Sequence, residues 1–154
     1  MLQNQTANVK FKPTPGTISE ILKPRCRSVI PENIPDYLKR INRWCVWHYR
    51  YEGDPPTGKW KKPPFSPRSG YPIHRGKPLE EHLGTFEQAM AACQNGLTVQ
   101  GEHRVFDGIG IYPGPGVVGI DADKCVDGQD RISVPWIQRW VDGTKSYVEL
   151  SPTI

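Results

Sequence analysis

Proline and glycine interrupt this chain too often for it to build long regular elements. Sixteen prolines and fifteen glycines account for 31 of its 154 residues. Proline removes a backbone donor and fixes φ, and glycine weakens helix and strand interiors. A helical bundle is therefore excluded, while the aperiodic Gly and Pro content stays below the range of disordered chains. Five Trp, six Tyr and four Phe supply enough apolar bulk for a core. The expectation is one domain of short elements, or one domain plus a tail.

Several classes drop out at once. No apolar run approaches the 18 residues that a membrane-spanning helix needs. Met1-Leu2-Gln3-Asn4-Gln5-Thr6 has neither a basic region nor an apolar one, so no secretory signal is read there. Cys26, Cys45, Cys93 and Cys125 form no CxxC, which speaks against a zinc knuckle and a compact disulfide framework. Reduced thiols in a cytoplasm are expected. The charge is uneven: residues 1–80 balance at +9 and residues 81–154 at −5. Such a split suits a protein that grips phosphates on one side and metal ions on the other, or simply a solvated basic tail beside an acidic face.

Residues 1–32 are polar and without periodicity, and read as an extended or disordered arm before a domain at 33–154. Residues 35–41 form a short helix candidate with Asn33 as its cap and Leu38 and Ile41 on one face. Residues 44–50, Trp-Cys-Val-Trp-His-Tyr-Arg, read as a strand, and residues 52–78 as loop. Thr85 and Gln88 then make a capping-box pattern. Phe86, Ala89, Met90 and Cys93 follow at helical spacing, and Asn95-Gly96 is a stop signal. That stripe is core packing. Residues 106–112 and 117–123 read as two strands joined as a hairpin through Pro113-Gly114-Pro115-Gly116. Ser133 is the expected cap of a helix with Pro135 in its first turn, Trp136 and Trp140 four apart, and Gly143 at its end. Residues 145–151 read as a last strand. Adjacent strands mixed with helices indicate an α+β fold.

The most informative segment is Val117-Val118-Gly119-Ile120-Asp121-Ala122-Asp123. On a strand, Val118, Ile120 and Ala122 would share a core face, leaving Gly119, Asp121 and Asp123 on the other. The two carboxylates would then stand about 6.5 Å apart at Cα. A divalent cation would relieve their repulsion, and oxygen donors favour Mg²⁺ or Mn²⁺ over zinc. A solvated loop start is the plain alternative for the same tripeptide. An EF-hand is excluded, because its pattern started at Asp121 would place Cys125, Val126 and Ile132 at key positions. On the last strand, Tyr147, Glu149 and Ser151 share a face. Paired beside the Asp121 strand, Glu149 and Ser151 would reach the same surface, with Ser151 as a hydroxyl donor to phosphate; a polar edge strand is the other reading.

Taken in order, several pieces resemble one family. They are Trp44 and Trp47; Lys62-Pro63-Pro64-Phe65-Ser66-Pro67 with Gly70; Thr85-Phe86-Glu87-Gln88-Ala89; Val118 to Cys125; and Ser146 to Pro152. The set, over residues 35–154, resembles the N-terminal part of the bifunctional DNA primase/polymerase (prim-pol) domain. That domain belongs to the archaeo-eukaryotic primase superfamily of phage, plasmid and mobile-element replication proteins. The resemblance implies an RRM-like primase/polymerase catalytic sheet with an N-terminal α/β module. It implies that Asp121 and Asp123 are the catalytic DxD that holds two divalent ions. Its second motif, a His after a Ser-Pro strand end, is only begun at Ser151-Pro152, and its third acidic ligand is absent. His48, His74, His82 and His103 do not lie where the family places its histidine. The resemblance thus implies a prim-pol truncated after the second-motif strand, with a sheet incomplete at the C-terminus.

The expected activity is template-directed nucleotidyl transfer, DNA primase and DNA polymerase, with Mg²⁺ or Mn²⁺. Expected partners are a single-stranded DNA template, nucleoside triphosphates, and a helicase domain or partner chain that supplies the missing motifs, with no membrane. Lys61, Lys62 and Arg68, in a proline-stiffened loop, are expected to hold template or triphosphate, and Glu149 and Ser151 to join them. A solvated basic turn is the alternative for that loop. A bacterial, archaeal or phage-infected cytoplasm is the expected location. Two rivals stand beside this reading: a catalytically inactive nucleic-acid-binding module derived from the same fold, and an unrelated metal-dependent phosphotransferase or nuclease that shares only the DxD.

Overall fold

The computed structural model describes residues 23–55, 57–74, 78–144 and 146–149. Most of the expected arm (1–22) and Ser151 lie outside these residues. At the centre is β1, Trp44–Trp47, three of whose four residues are buried. Its Trp-Cys-Val-Trp run is apolar on both faces because both are covered: Trp44 and Val46 enter the main core, and Cys45 packs with Ile73 and Leu83 on the other side. β4, Pro64–Phe65, pairs antiparallel with one edge, placing Val46 opposite Phe65. β7, Gly108–Ile111, pairs antiparallel with the other, placing Cys45 opposite Gly110 and Trp47 opposite Gly108. The resulting order is β4-β1-β7.

One helix covers this sheet. α2, Phe86–Asn95, is built from local signals that the sequence carries in full. Thr85 Oγ1 accepts from the Gln88 N–H at 3.2 Å and Gln88 Oε1 accepts from the Thr85 N–H at 3.0 Å, the reciprocal capping box. At the other end Gly96 adopts φ 68°, and a Cβ there would sit 2.5 Å from the Arg104 carbonyl oxygen. Phe86, Ala89 and Ala92 face inward and meet Ile34, Leu38, Trp44, Val46, Phe65 and Phe106 in the main core. Trp44 anchors it: its ring meets Phe86 edge-on at 5.1 Å, and its Nε1–H donates to the Leu38 carbonyl at 3.2 Å.

α1 spans only Asp36–Lys39, with Pro35 rather than Asn33 at the cap position and no side-chain cap. Asn33 instead closes a 3₁₀ turn, Pro31–Asn33. Leu38 is buried and Ile41 packs against the same core, as their spacing requires. The segment read as loop, 52–78, holds strands. β2, Arg50–Glu52, and β3, Lys59–Lys61, form a two-stranded hairpin. A second hairpin, β5 Leu97–Val99 with β6 Glu102–Arg104, precedes β7. It turns on Gln100 and Gly101, both at positive φ.

Beyond β7 the expectations for strands are not met. The 106–112 strand is realised as β7, but residues 118–122 carry no regular structure, and only an isolated Gly114–Val117 bridge stands where the hairpin was expected. Val118 is 86% exposed and Ile120 65%, so the core face that alternation predicted is not a core face. Residues 146–149 likewise form no strand. α3, Pro135–Gly143, is present, with Val134 at its N-cap and no side-chain cap. Ser133 turns away, and its hydroxyl and N–H both donate to the Cys125 carbonyl. Ile137 is buried while Trp136 and Trp140 are exposed. The architecture is mixed α+β with small antiparallel sheets. Among the described residues, no helix is long and apolar enough to cross a membrane.

Candidate functional site

Asp121 and Asp123 leave the sheet on a path set by Arg43. The Arg43 guanidinium donates to the carbonyls of Tyr112 (3.1 Å) and Pro113 (3.3 Å) and pairs with Glu80 at 3.1 Å. From there the chain passes the Gly114–Val117 bridge, and both aspartates lie exposed in the irregular stretch that follows. Neither carboxylate is met by a cation among the described residues. Just downstream, the Cys125 thiol donates to the Ala122 carbonyl at 3.0 Å. Asp127 then organises the next turn, accepting from the N–H groups of Gln129 (2.8 Å) and Arg131 (3.0 Å) and from the Arg131 side chain. Those backbone donors hold the Asp127 carboxyl below its ordinary range.

Two exposed carboxylates are a chemically suitable but partial cation site. Mg²⁺ takes one or two protein carboxylates and completes its shell with water and substrate phosphate. Among the described residues no group of three or more His, Cys, Asp or Glu side chains is arranged to hold a metal ion. Glu149 is exposed and accepts from the Tyr147 phenol at 3.0 Å. Burial and that carboxylate push the Tyr147 phenol up to about 12. No ladder joins residues 146–149 to 118–123, so the expected meeting of Glu149 with the aspartates on one sheet surface is not seen.

The basic residues divide into two groups. Lys61 is exposed on β3, and Lys62 follows with its Nζ 5.8 Å from the centre of the Trp47 ring. Arg68 is spent on structure: its guanidinium donates to the carbonyls of Glu80 and Glu81, tying the loop after β4 to a 3₁₀ turn at Leu79–Glu81. Within that loop the buried Ser66 hydroxyl accepts from the N–H groups of Arg68 (3.3 Å) and Ser69 (3.4 Å). The loop is stiffened by hydrogen bonds as well as by proline.

Structure adds residues that the sequence reading left aside. Across the β2–β3 hairpin Arg50 stands opposite Lys61 and Glu52 opposite Lys59, all four exposed, while Tyr51 opposes Trp60 on the inner face. The signal was present, since Arg-Tyr-Glu and Lys-Trp-Lys alternate on either side of a Gly-Asp-Pro-Pro-Thr-Gly turn. Tyr49 links this hairpin to the main sheet, meeting Trp47 at 5.3 Å and Trp60 at 6.1 Å, both edge-on. Asp107 binds the region together. Its carboxylate accepts from the Tyr49 N–H and from Lys23, each at 2.7 Å, and its carbonyl accepts from the Cys26 thiol at 2.8 Å. His48 lies between Phe65 and Phe106, and burial lowers its pKa below the usual imidazole range.

Comparison with protein-family models, curated proteins and solved structures finds no match for this chain.

Proposed function

We propose that the chain takes part in template-directed nucleotidyl transfer, as a DNA primase/polymerase module of the prim-pol type with an RRM-like catalytic sheet. The observation that carries this reading is the pair of exposed carboxylates at Asp121 and Asp123, two residues apart and unmet by any cation among the described residues. They follow, in sequence order, the other segments that resemble the family. Asp121 and Asp123 would hold Mg²⁺ or Mn²⁺. Divalent ions held by these carboxylates would supply positive charge for activating a 3′-hydroxyl and for offsetting the charge of a pyrophosphate leaving group. Lys61 and Lys62 would grip phosphate oxygens of a single-stranded DNA template or a nucleoside triphosphate. Arg68 would shape the loop that follows them, and Glu149 and Ser151 would complete the nucleotide surface. A helicase domain or partner chain would supply the remaining motifs, in a bacterial, archaeal or phage-infected cytoplasm.

A second reading is favoured by the irregular course of residues 118–122 and by the lack of a third acidic ligand among the described residues. It is a catalytically inactive nucleic-acid-binding module. Primer-extension and de novo priming assays separate the two, using labelled single-stranded template, Mg²⁺ or Mn²⁺, and both ribo- and deoxyribonucleotides. Synthesis that Asp121→Asn with Asp123→Asn abolishes establishes the first. Retained DNA binding with no synthesis establishes the second. Degradation of DNA without added nucleoside triphosphates would overturn both in favour of a nuclease.

A further inference from the structure

The register of the central sheet leaves one of its edges open. The Tyr112 N–H donates to the Arg43 carbonyl, and Cys45 stands opposite Gly110. Bonding pairs alternate along an antiparallel ladder, so Gly108, Gly110 and Tyr112 turn their backbone groups toward β1. Ile109 and Ile111 turn theirs outward, where the order β4-β1-β7 places no further strand. The outward carbonyl of Ile109 accepts from the Trp47 indole at 3.0 Å. The Ile109 N–H and both backbone groups of Ile111 meet no partner among the described residues. A Gly-Ile-Gly-Ile edge has no proline and no charged residue to keep a strand off.

The segment that follows has the pattern to fill this edge. The Val117 N–H donates to the Gly114 carbonyl at 2.9 Å, and Val117 packs against the main core. A Cβ on Gly119 would lie 3.0 Å from the Pro113 ring, so the chain there already runs back beside the end of β7. Extending the Gly114–Val117 pairing places Ile120 opposite Ile111 and Ala122 opposite Ile109, the two residues with outward backbone groups. Ile120, now 65% exposed, would lie beside Ile111 on the face that packs against the main core. Asp121 and Asp123 would stand on the other face, opposite Gly110 and Gly108. The same ladder would fix the two carboxylates about 6.5 Å apart at Cα, and their repulsion opposes that closure.

We propose that residues 118–123 dock on the open edge of β7, as a fourth strand of the central sheet, when the charge on Asp121 and Asp123 is neutralised. That a divalent cation does the neutralising rests on the reading above; the docking does not. A cation that binds the docked pair more tightly than the undocked one shifts the balance by that difference in affinity. The carboxylate site is then completed by the ligand it receives.

The test is backbone amide hydrogen exchange of the full chain, followed by NMR. In EDTA the Ile109 and Ile111 amides of the unaltered chain should exchange readily, while the Gly110 amide, which faces β1, is protected. Asp121→Asn with Asp123→Asn removes the repulsion without any ligand. In EDTA this variant should slow exchange at Ile109, Ile111, Ile120 and Ala122 about tenfold, as when about nine molecules in ten are docked. Mg²⁺ alone should do the same for the unaltered chain. Adding Ile120→Pro removes the N–H that would bond to Ile111, and should restore rapid exchange at Ile109 and Ile111. Ile120 is exposed, and retained protection of Gly110 shows that the variant folds. Rapid exchange at Ile109 and Ile111 in the Asn variant overturns the proposal. Slowing that survives Ile120→Pro overturns it too, because another segment would then cover the edge. So does full protection of the unaltered chain in EDTA, since charge would then hold nothing off. Slowing in the Asn variant with none from Mg²⁺ supports the docking and removes the cation reading, so the two fail in different experiments.

Discussion

The central strand and the stretch after β7 both read as strands in sequence and ended in different states. Trp44–Trp47 lies between two partner strands and under a helix, with Val46 fully buried. Residues 118–122 have neither ladder nor cover, and Val118 and Ile120 face solvent. Alternation is a necessary condition for a half-buried strand and not a sufficient one, because a strand's backbone donors and acceptors must be met by a neighbour. The carboxylate pair therefore sits outside any ladder among the described residues, and the basic hairpin sits within one.

The sharpest way to break this contrast is Trp44→Ala. Removing a ring that fills the main core and hydrogen-bonds to Leu38 should cost about 3–5 kcal/mol, read by denaturant unfolding. A loss below about 1 kcal/mol would mean that the sheet and helix are not one packed unit. Next comes Thr85→Ala, which removes the acceptor for the Gln88 N–H; a loss of about 1 kcal/mol is expected. His48→Phe sharpens the comparison through pH. Burial lowers the folded-state pKa of His48, so the unfolded chain binds the proton more readily. Stability should then fall as pH drops through 6.5, the ordinary imidazole value, and His48→Phe should flatten that decline between pH 7 and 5 in thermal melts. An identical pH profile in the variant would show that His48 is not sequestered. The smallest effect is expected from Val118→Ser, within about 0.5 kcal/mol. A core-sized loss there would place residues 117–123 in a packed strand after all.

Legibility followed the range of the interactions. α2 was readable because its start, stripe and stop are encoded within twelve residues, Thr85 to Gly96, and each signal acts over one turn. The caps Asn33 and Ser133 were read from residue type, yet Asn33 closes a 3₁₀ turn and Ser133 bonds to Cys125. A serine or asparagine offers a cap, and competing local partners decide whether it is used. The β2–β3 hairpin was missed because its proline-rich turn dominated the reading of 52–78, although alternation flanks it on both sides. Of the expected site, Lys61 is exposed on β3, Lys62 lies over the Trp47 ring, Arg68 is committed to Glu80 and Glu81, and Asp121 and Asp123 are exposed but not fixed on a sheet.

By itself the sequence determined the α+β character, the position and ends of α2, the apolar centre at Trp44–Trp47, and the spacing of the two aspartates. These depend on residue type and on neighbours a few positions away. Only the tertiary structure decided which alternating segments became strands, that Arg50 and Lys59 join Lys61 on one face, and that Asp107 ties Lys23 and Cys26 to the body. Each of those needs a partner distant in the chain, and such pairing is set by which surfaces can bury one another, not by any local pattern.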